Sequence, residues 1–324
     1  MQQAGKELLK GHIVAGLGDE AFDDRAFQIL LINAIKKRVD IIAIGSSRTK
    51  ELRERYLENG KYKFYNHAVN HANLEDYIAI LGAYKKFHGY LPKEVILGVD
   101  PWILNANSGR TLWKRIQQYD ELSNQIMQKK VNKQRDKLFI MKKIKTLFSY
   151  SYTLANLRFF VQQLRRKPFY ITKTLEIDDY LREPDASIWY PYASRYPDIQ
   201  KVRLKAIQYT KGSVYSLEDF QYANRKKKFE TLMLMLKNAG VHVTLYLAPY
   251  HPLTYDILIK NPKYQLKQTE AYFRSYAKEH HLQLVGSYNP HPLGFTQKDF
   301  FDGMHCRFNA VKKIFSSWKP ANAP

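Results

Sequence analysis

Five short apolar runs restrict the fold of this chain more than any other feature. They are residues 39–45 (VDIIAIG), 64–69 (FYNHAV), 94–99 (EVILGV), 241–247 (VHVTLYL) and 282–285 (LQLV). Each has strand length, and the first and third are nearly continuous in apolar character, which is the mark of a strand buried on both faces. Helical patterns lie around and between them: 24–37, 48–57, 74–87, 217–237 with Gly240 close to its end, 263–279 and 309–318. Strands alternating with helices of this size predict βαβ units and a parallel sheet of about five strands, an α/β architecture.

The regular alternation breaks once. Residues 105–216 read as an insertion after the third strand, so that 1–104 and 217–324 form the two parts of one α/β domain. The insertion is where charge matters. The chain carries 52 Lys+Arg against 30 Asp+Glu, a formal net charge of +22. Residues 129–173 hold thirteen Lys/Arg against one acid, Asp136, interleaved with residues such as Phe139, Ile144, Phe148 and Phe160. A solvated helical hairpin packed on the main domain is one reading. A second is an element bound to an anionic membrane surface, a third a contact with nucleic-acid phosphates, and a fourth an acidic glycan. The nucleic-acid reading is weaker than the first two, because no zinc-finger or aromatic ribonucleoprotein motif accompanies the charge.

The single cysteine, Cys306, excludes an internal disulfide and a Cys-based zinc site. No run of 18 apolar residues is present to span a membrane, and the first twenty residues lack a signal-peptide hydrophobic region.

Two segments carry candidate chemistry. Ile44-Gly45-Ser46-Ser47-Arg48 ends the first strand, at the carboxyl edge of a parallel sheet where α/β folds place their sites. There a serine has its N–H at the start of a helix, suited to an oxyanion, although either serine could simply cap that helix. Phe300-Phe301-Asp302-Gly303-Met304-His305 precedes the last helix and puts an acid and a base on one turn. A serine nucleophile needs a base, and the base needs an orienting acid. Other candidates are weaker. Arg48 could bind an anionic substrate, pair with Asp100 or reach solvent. His251, in Ala248-Pro249-Tyr250-His251-Pro252, lies on the same edge and could touch substrate, or be structural. His67 and His71 have metal-like spacing only on a helix, and they fall on a strand and its exit, so no metal is expected.

Together, the Gly-x-Ser turn after the first strand and the Asp-x-x-His near the C-terminus resemble the end blocks of the SGNH/GDSL hydrolase family. The likeness spans almost the whole chain except the insertion. It implies a three-layer, flavodoxin-like α/β/α domain, with Ser47 as nucleophile, His305 as general base and Asp302 as its orienting acid, and no cofactor. Ser46 stands where many members have Asp. The middle blocks depart from the family. Asn70 or His71 occupies the place of a small residue whose N–H joins the oxyanion hole. Asp100, in Gly98-Val99-Asp100-Pro101-Trp102, replaces an oxyanion-donating Asn, and an ionised carboxylate cannot donate. These departures resemble a cell-envelope branch, relatives of the teichoic-acid D-alanyl transfer protein and of polysaccharide O-acetylation proteins. That resemblance implies an esterase or O-acyltransferase acting on an acylated carbohydrate or lipid in the envelope, behind an anchor that need not belong to this chain. The alternative is a catalytically degenerate relative, in the envelope or the cytoplasm, that binds an anionic surface or polymer through residues 129–173.

Overall fold

The computed structural model describes residues 1–18, 22–57, 61–116, 169–211, 214 and 216–321. Its centre is a five-stranded parallel sheet built from β2 (Ile41–Ile44), β3 (Phe64–Asn66), β4 (Glu94–Gly98), β8 (His242–Leu247) and β9 (Gln283–Gly286), in the order β3-β2-β4-β8-β9. Within a residue or three at each end these are the five apolar runs. Both faces are covered, which is why the strands lack polar alternation. Ile42, Ile44, Val95, Leu97 and Val243 point into one cluster with Phe27 and Leu31 of the helix Asp24–Ala34, Tyr77 and Leu81 of the helix Leu74–His88, and Phe229 and Phe273. Ile41, Ala43, Ile96 and Tyr246 point into the other with Leu52, Leu57, Val311, Phe315 and Trp318.

After β2 the chain adds β3 on one side of it and then β4 on the other. Such a reversal opens a crevice at the carboxyl ends of the two central strands. Gly45 and Gly98 end those strands, and neither tolerates a side chain. A Cβ on Gly45 would lie 2.2 Å from Thr49 Oγ1, and one on Gly98 would lie 2.0 Å from the same atom. The Thr49 side chain thus occupies the space between the two strand ends.

Two predicted helices depart furthest from expectation, one absent and one starting late. Residues 48–57 form two 3₁₀ turns, Ser47–Thr49 and Glu54–Tyr56. The buried Asn66 amide donates to the carbonyls of Thr49 and Leu52 at 2.9 Å each, acceptors that a continuous helix would engage. The helix expected at 217–237 starts only at Arg225 (Arg225–Asn238). Before it, the side chain of Asn105 holds an irregular segment by donating to Ser216 O and Glu218 O and accepting from Gln221 N.

The structure adds a second sheet. It is antiparallel, in the order β5-β1-β6-β7, and joins β1 (Ile13–Ala15) near the N-terminus to β5 (Tyr170–Thr172), β6 (Leu181–Arg182) and β7 (Ile188–Trp189). It is fastened to the parallel sheet's surroundings by Asn66 N donating to Asp185 O (2.7 Å), Ile188 N donating to Lys50 O (2.9 Å), and the buried ion pair of Arg182 with Asp24 (2.5 Å). The basic segment at 129–173 lies outside the described residues except for 169–173, which include β5. Among the described residues, no helix is long and apolar enough to cross a membrane.

Candidate active site

Every residue from 41 to 53 is buried except Ser47. It sits directly after the tight β2 exit, and Ser46 caps the turn by accepting from Arg48 N at 3.2 Å. Its hydroxyl is 2.8 Å from Nε2 of His305, 258 residues away in the chain. Nδ1 of that imidazole is 2.7 Å from Asp302 Oδ2.

The second half of this constellation is encoded locally. Asp302 Oδ1 accepts the backbone N–H of Met304 and of His305, both at 2.8 Å, which closes the turn and leaves Oδ2 aimed at the imidazole. Burial alone would raise the Asp302 pKa, but His305 and these two N–H groups outweigh it and hold the carboxyl below its usual range. At neutral pH it is therefore ionised and can accept from Nδ1–H, which leaves Nε2 as an acceptor toward Ser47. The ring is clamped by aromatics: Phe301 lies parallel to it at 5.8 Å between centroids, and Tyr190, delivered by the antiparallel sheet, packs 4.6 Å from Phe301 and 6.1 Å from His305.

Ser47, Asp302 and His305 open into a cavity of about 540 Å³. Asn70 and His71 line it too, with Phe22, Tyr180 and Tyr190 forming an aromatic wall. The structure therefore brings the serine, the acid–base pair and the β3-exit residues to one place. Asn70 differs from the sequence expectation in one respect. Its N–H donates to Asp24 Oδ2 at 3.2 Å and its side-chain oxygen accepts from Lys50 Nζ at 2.7 Å. Burial would raise the Asp24 carboxyl, yet Lys50 and Arg182 hold it at about 2, so this acceptor is charged at neutral pH. The Asn70 N–H is thus engaged and is not aimed at a substrate oxyanion. His71 has a left-handed backbone (φ 57°), uncommon outside glycine. Burial, reinforced by Arg110, Arg25 and Lys50, pushes its imidazole down to about 4, so it is neutral at pH 7. Ser47 N–H donates to none of the described residues.

Four other expected site residues do not line the cavity. Gly45 serves the packing described above. Arg48 and Asp100 are buried and pair with each other at 2.9 Å. Asp100 therefore stands as the countercharge of an interior arginine rather than as a substrate group. His251 is buried at the start of the helix Pro252–Leu258, where Nδ1 accepts from Leu253 N; burial pushes it down to about 4, and it caps rather than catalyses. His67 is likewise structural. It lies between Gln28 Oε1 (2.6 Å) and Tyr84 Oη (2.7 Å), and burial pushes it down to about 3. Among the described residues no cluster of three His, Cys, Asp or Glu is arranged to hold a metal ion.

The sequence reading missed Tyr190 and Phe301 as partners of His305, and the Asp24–Lys50–Arg182 cluster under Asn70. Phe301 was visible as a neighbour of Asp302. Tyr190 and Arg182 reach the site only through pairing of distant strands, which no local pattern reveals.

No protein-family model matches the chain, and no curated protein matches it. Among solved structures, that of a proposed acylhydrolase from Bacteroides fragilis is similar over 86% of this chain and 86% of its own, with 9% sequence identity and a TM-score of 0.37.

Proposed function

We propose that this protein is an SGNH-like serine hydrolase or O-acyltransferase that works through an acyl-enzyme. The observation that carries the reading is the hydrogen-bonded line from Asp302 through His305 to Ser47, at 2.7 and 2.8 Å, opening into a cavity at the carboxyl edge of the sheet. A hydroxyl is a weak nucleophile at its own pKa and becomes reactive when a positioned base removes its proton. His305 Nε2 takes the proton of Ser47 as Oγ attacks an ester carbonyl. Asp302 holds the imidazole in the required tautomer and stabilises the imidazolium. Ser47 N–H donates to the oxygen that becomes negative. The imidazolium then protonates the departing alcohol, and the acyl group remains on Ser47. Water or a second hydroxyl, deprotonated by the same imidazole, removes it.

The strand order and the two covered faces support the three-layer SGNH arrangement. The aromatic wall beside His71 and Asn70 supports an acylated carbohydrate or lipid as the substrate, and the cell envelope as its setting rests on the sequence resemblance alone. The engaged Asn70 N–H and the Arg48-paired Asp100 favour a second reading, a site that binds but does not turn over. A fluorophosphonate probe separates the two. Labelling of the wild type that disappears in Ser47→Ala supports the enzyme, whereas absence of labelling of folded wild-type protein overturns it.

A further inference from the structure

We infer that Arg48 is a positioning residue that sets the distance between Ser47 and His305 through a buried guanidinium fork beneath the site. This rests on the Ser47–His305–Asp302 reading above and goes beyond it. Arg48 follows Ser47 directly, yet its side chain points inward and only 3% of the residue is exposed. Three chain segments meet on it. Nε donates to the carbonyl of Met304, the residue before His305, at 3.0 Å. Nη1 donates to Asp100 Oδ1, just past β4, at 2.9 Å. Nη2 donates to the carbonyl of Ala248, just past β8. The plane of the group rests on the Tyr250 ring, 4.0 Å from its centroid.

The two halves of the site lie 258 residues apart. The turn holding Asp302 and His305 closes on its own hydrogen bonds, but the Met304 carbonyl that Arg48 engages lies between those two residues, so releasing it lets the turn shift relative to Ser47 and loosens the His305–Asp302 bond. The Arg48–Met304 bond ties that turn to the serine segment one residue away on each side. The bonds to Asp100 and Ala248 fix the arginine itself to the ends of two sheet strands. Only a planar guanidinium can serve these directions together; a lysine ammonium supplies the same charge without the fixed fork. Asp100 has the matching task of neutralising a charge that would otherwise be buried alone. This explains why a carboxylate is tolerated there.

Arg48→Lys is the discriminating variant, since it keeps the charge opposite Asp100 and removes the fork. Three readouts are taken on protein verified as folded by circular dichroism. These are the rate of fluorophosphonate labelling, the kcat and KM for a small nitrophenyl ester, and the low-field proton resonance of the His305–Asp302 hydrogen bond, assigned by its loss in His305→Gln. The expected result is a drop of about 10²-fold in kcat and labelling rate, the scale of a misplacement near 1 Å, with KM unchanged and the resonance lost or broadened. A variant that keeps the resonance and labels within about tenfold of wild type overturns the inference while leaving the proposed function intact. If the wild type neither labels nor turns over ester, the proposed function fails. The resonance then decides the positioning role on its own: loss in Arg48→Lys sustains it, retention refutes it. Should Arg48→Lys fail to fold, the paired change Arg48→Met with Asp100→Asn removes both buried charges, and retention of the resonance in that protein likewise overturns the inference.

Discussion

Replacing Asp302 by Asn tests the site at the point where local and catalytic roles separate. Oδ1 closes the turn through the N–H groups of Met304 and His305, and Oδ2 orients the imidazole. An Asn that keeps its oxygen toward the two N–H groups retains the turn but presents an NH₂ to Nδ1. Nδ1 must then accept, Nε2 carries the proton, and the ring faces Ser47 as a donor unable to take the hydroxyl proton. Loss of the correct tautomer in a serine triad costs about 10⁴-fold in kcat. The structural loss is far smaller. Three carboxylate hydrogen bonds become neutral or are lost; at roughly 1 kcal/mol for each such weakening, the variant is destabilised by about 2–3 kcal/mol, within the about 5–15 kcal/mol typical of a folded domain. The pH dependence follows from the depressed Asp302 carboxyl. A group held below its unfolded pKa stabilises the fold above that pKa, and the contribution is lost as pH falls through the folded value. The stability gap between wild type and Asp302→Asn is therefore full at pH 7 and closes in acid. Urea unfolding at pH 7 and pH 3, with labelling rates on the same samples, measures both quantities. A folded Asp302→Asn protein that labels within tenfold of wild type at pH 7 would refute the tautomer reasoning and the role given to Asp302.

Two further outcomes follow from the packing. In Gly45→Ala the new methyl would lie 2.2 Å from Thr49 Oγ1 and 3.2 Å from Gly98 Cα, so overpacking should cost about 1–3 kcal/mol, or more because the Thr49 side chain is itself wedged between Gly45 and Gly98; an unchanged urea midpoint contradicts the account of the β2 exit. Glu94 is buried, and burial raises its carboxyl to about 7 while Ala321 N–H and Thr244 partly oppose it. Its folded pKa lies above the unfolded one, so its contribution declines as pH rises between about 4.5 and about 7. Glu94→Gln should accordingly gain on the order of 2 kcal/mol relative to wild type at pH 8 and little at pH 4, and equal offsets at the two pH values would count against it.

The strands were readable because each is a short apolar segment buried on both faces, so its environment is written in its own residues. Arg48 shows the opposite case. The sequence admits substrate, solvent or Asp100 as its partner, and the choice falls to Asp100 because strand order brings the exits of β2, β4 and β8 together over Tyr250. Residues 48–57 carry a helical pattern but do not form a continuous helix, because the amide of Asn66, from the neighbouring strand, engages two of their carbonyls.

By itself the sequence determined the parallel α/β core, the Gly-Ser-Ser turn after its first strand and the Asp302–His305 turn, since each depends on residues within a few positions of one another. Tertiary structure alone decided that Ser47 meets His305, that Asn70 gives its N–H to Asp24, and that β1 pairs with residues near 171 and 181. Those outcomes depend on loops closed across much of the chain. Their closure entropy is offset only by burial and pairing in the assembled fold, so no local segment carries their record.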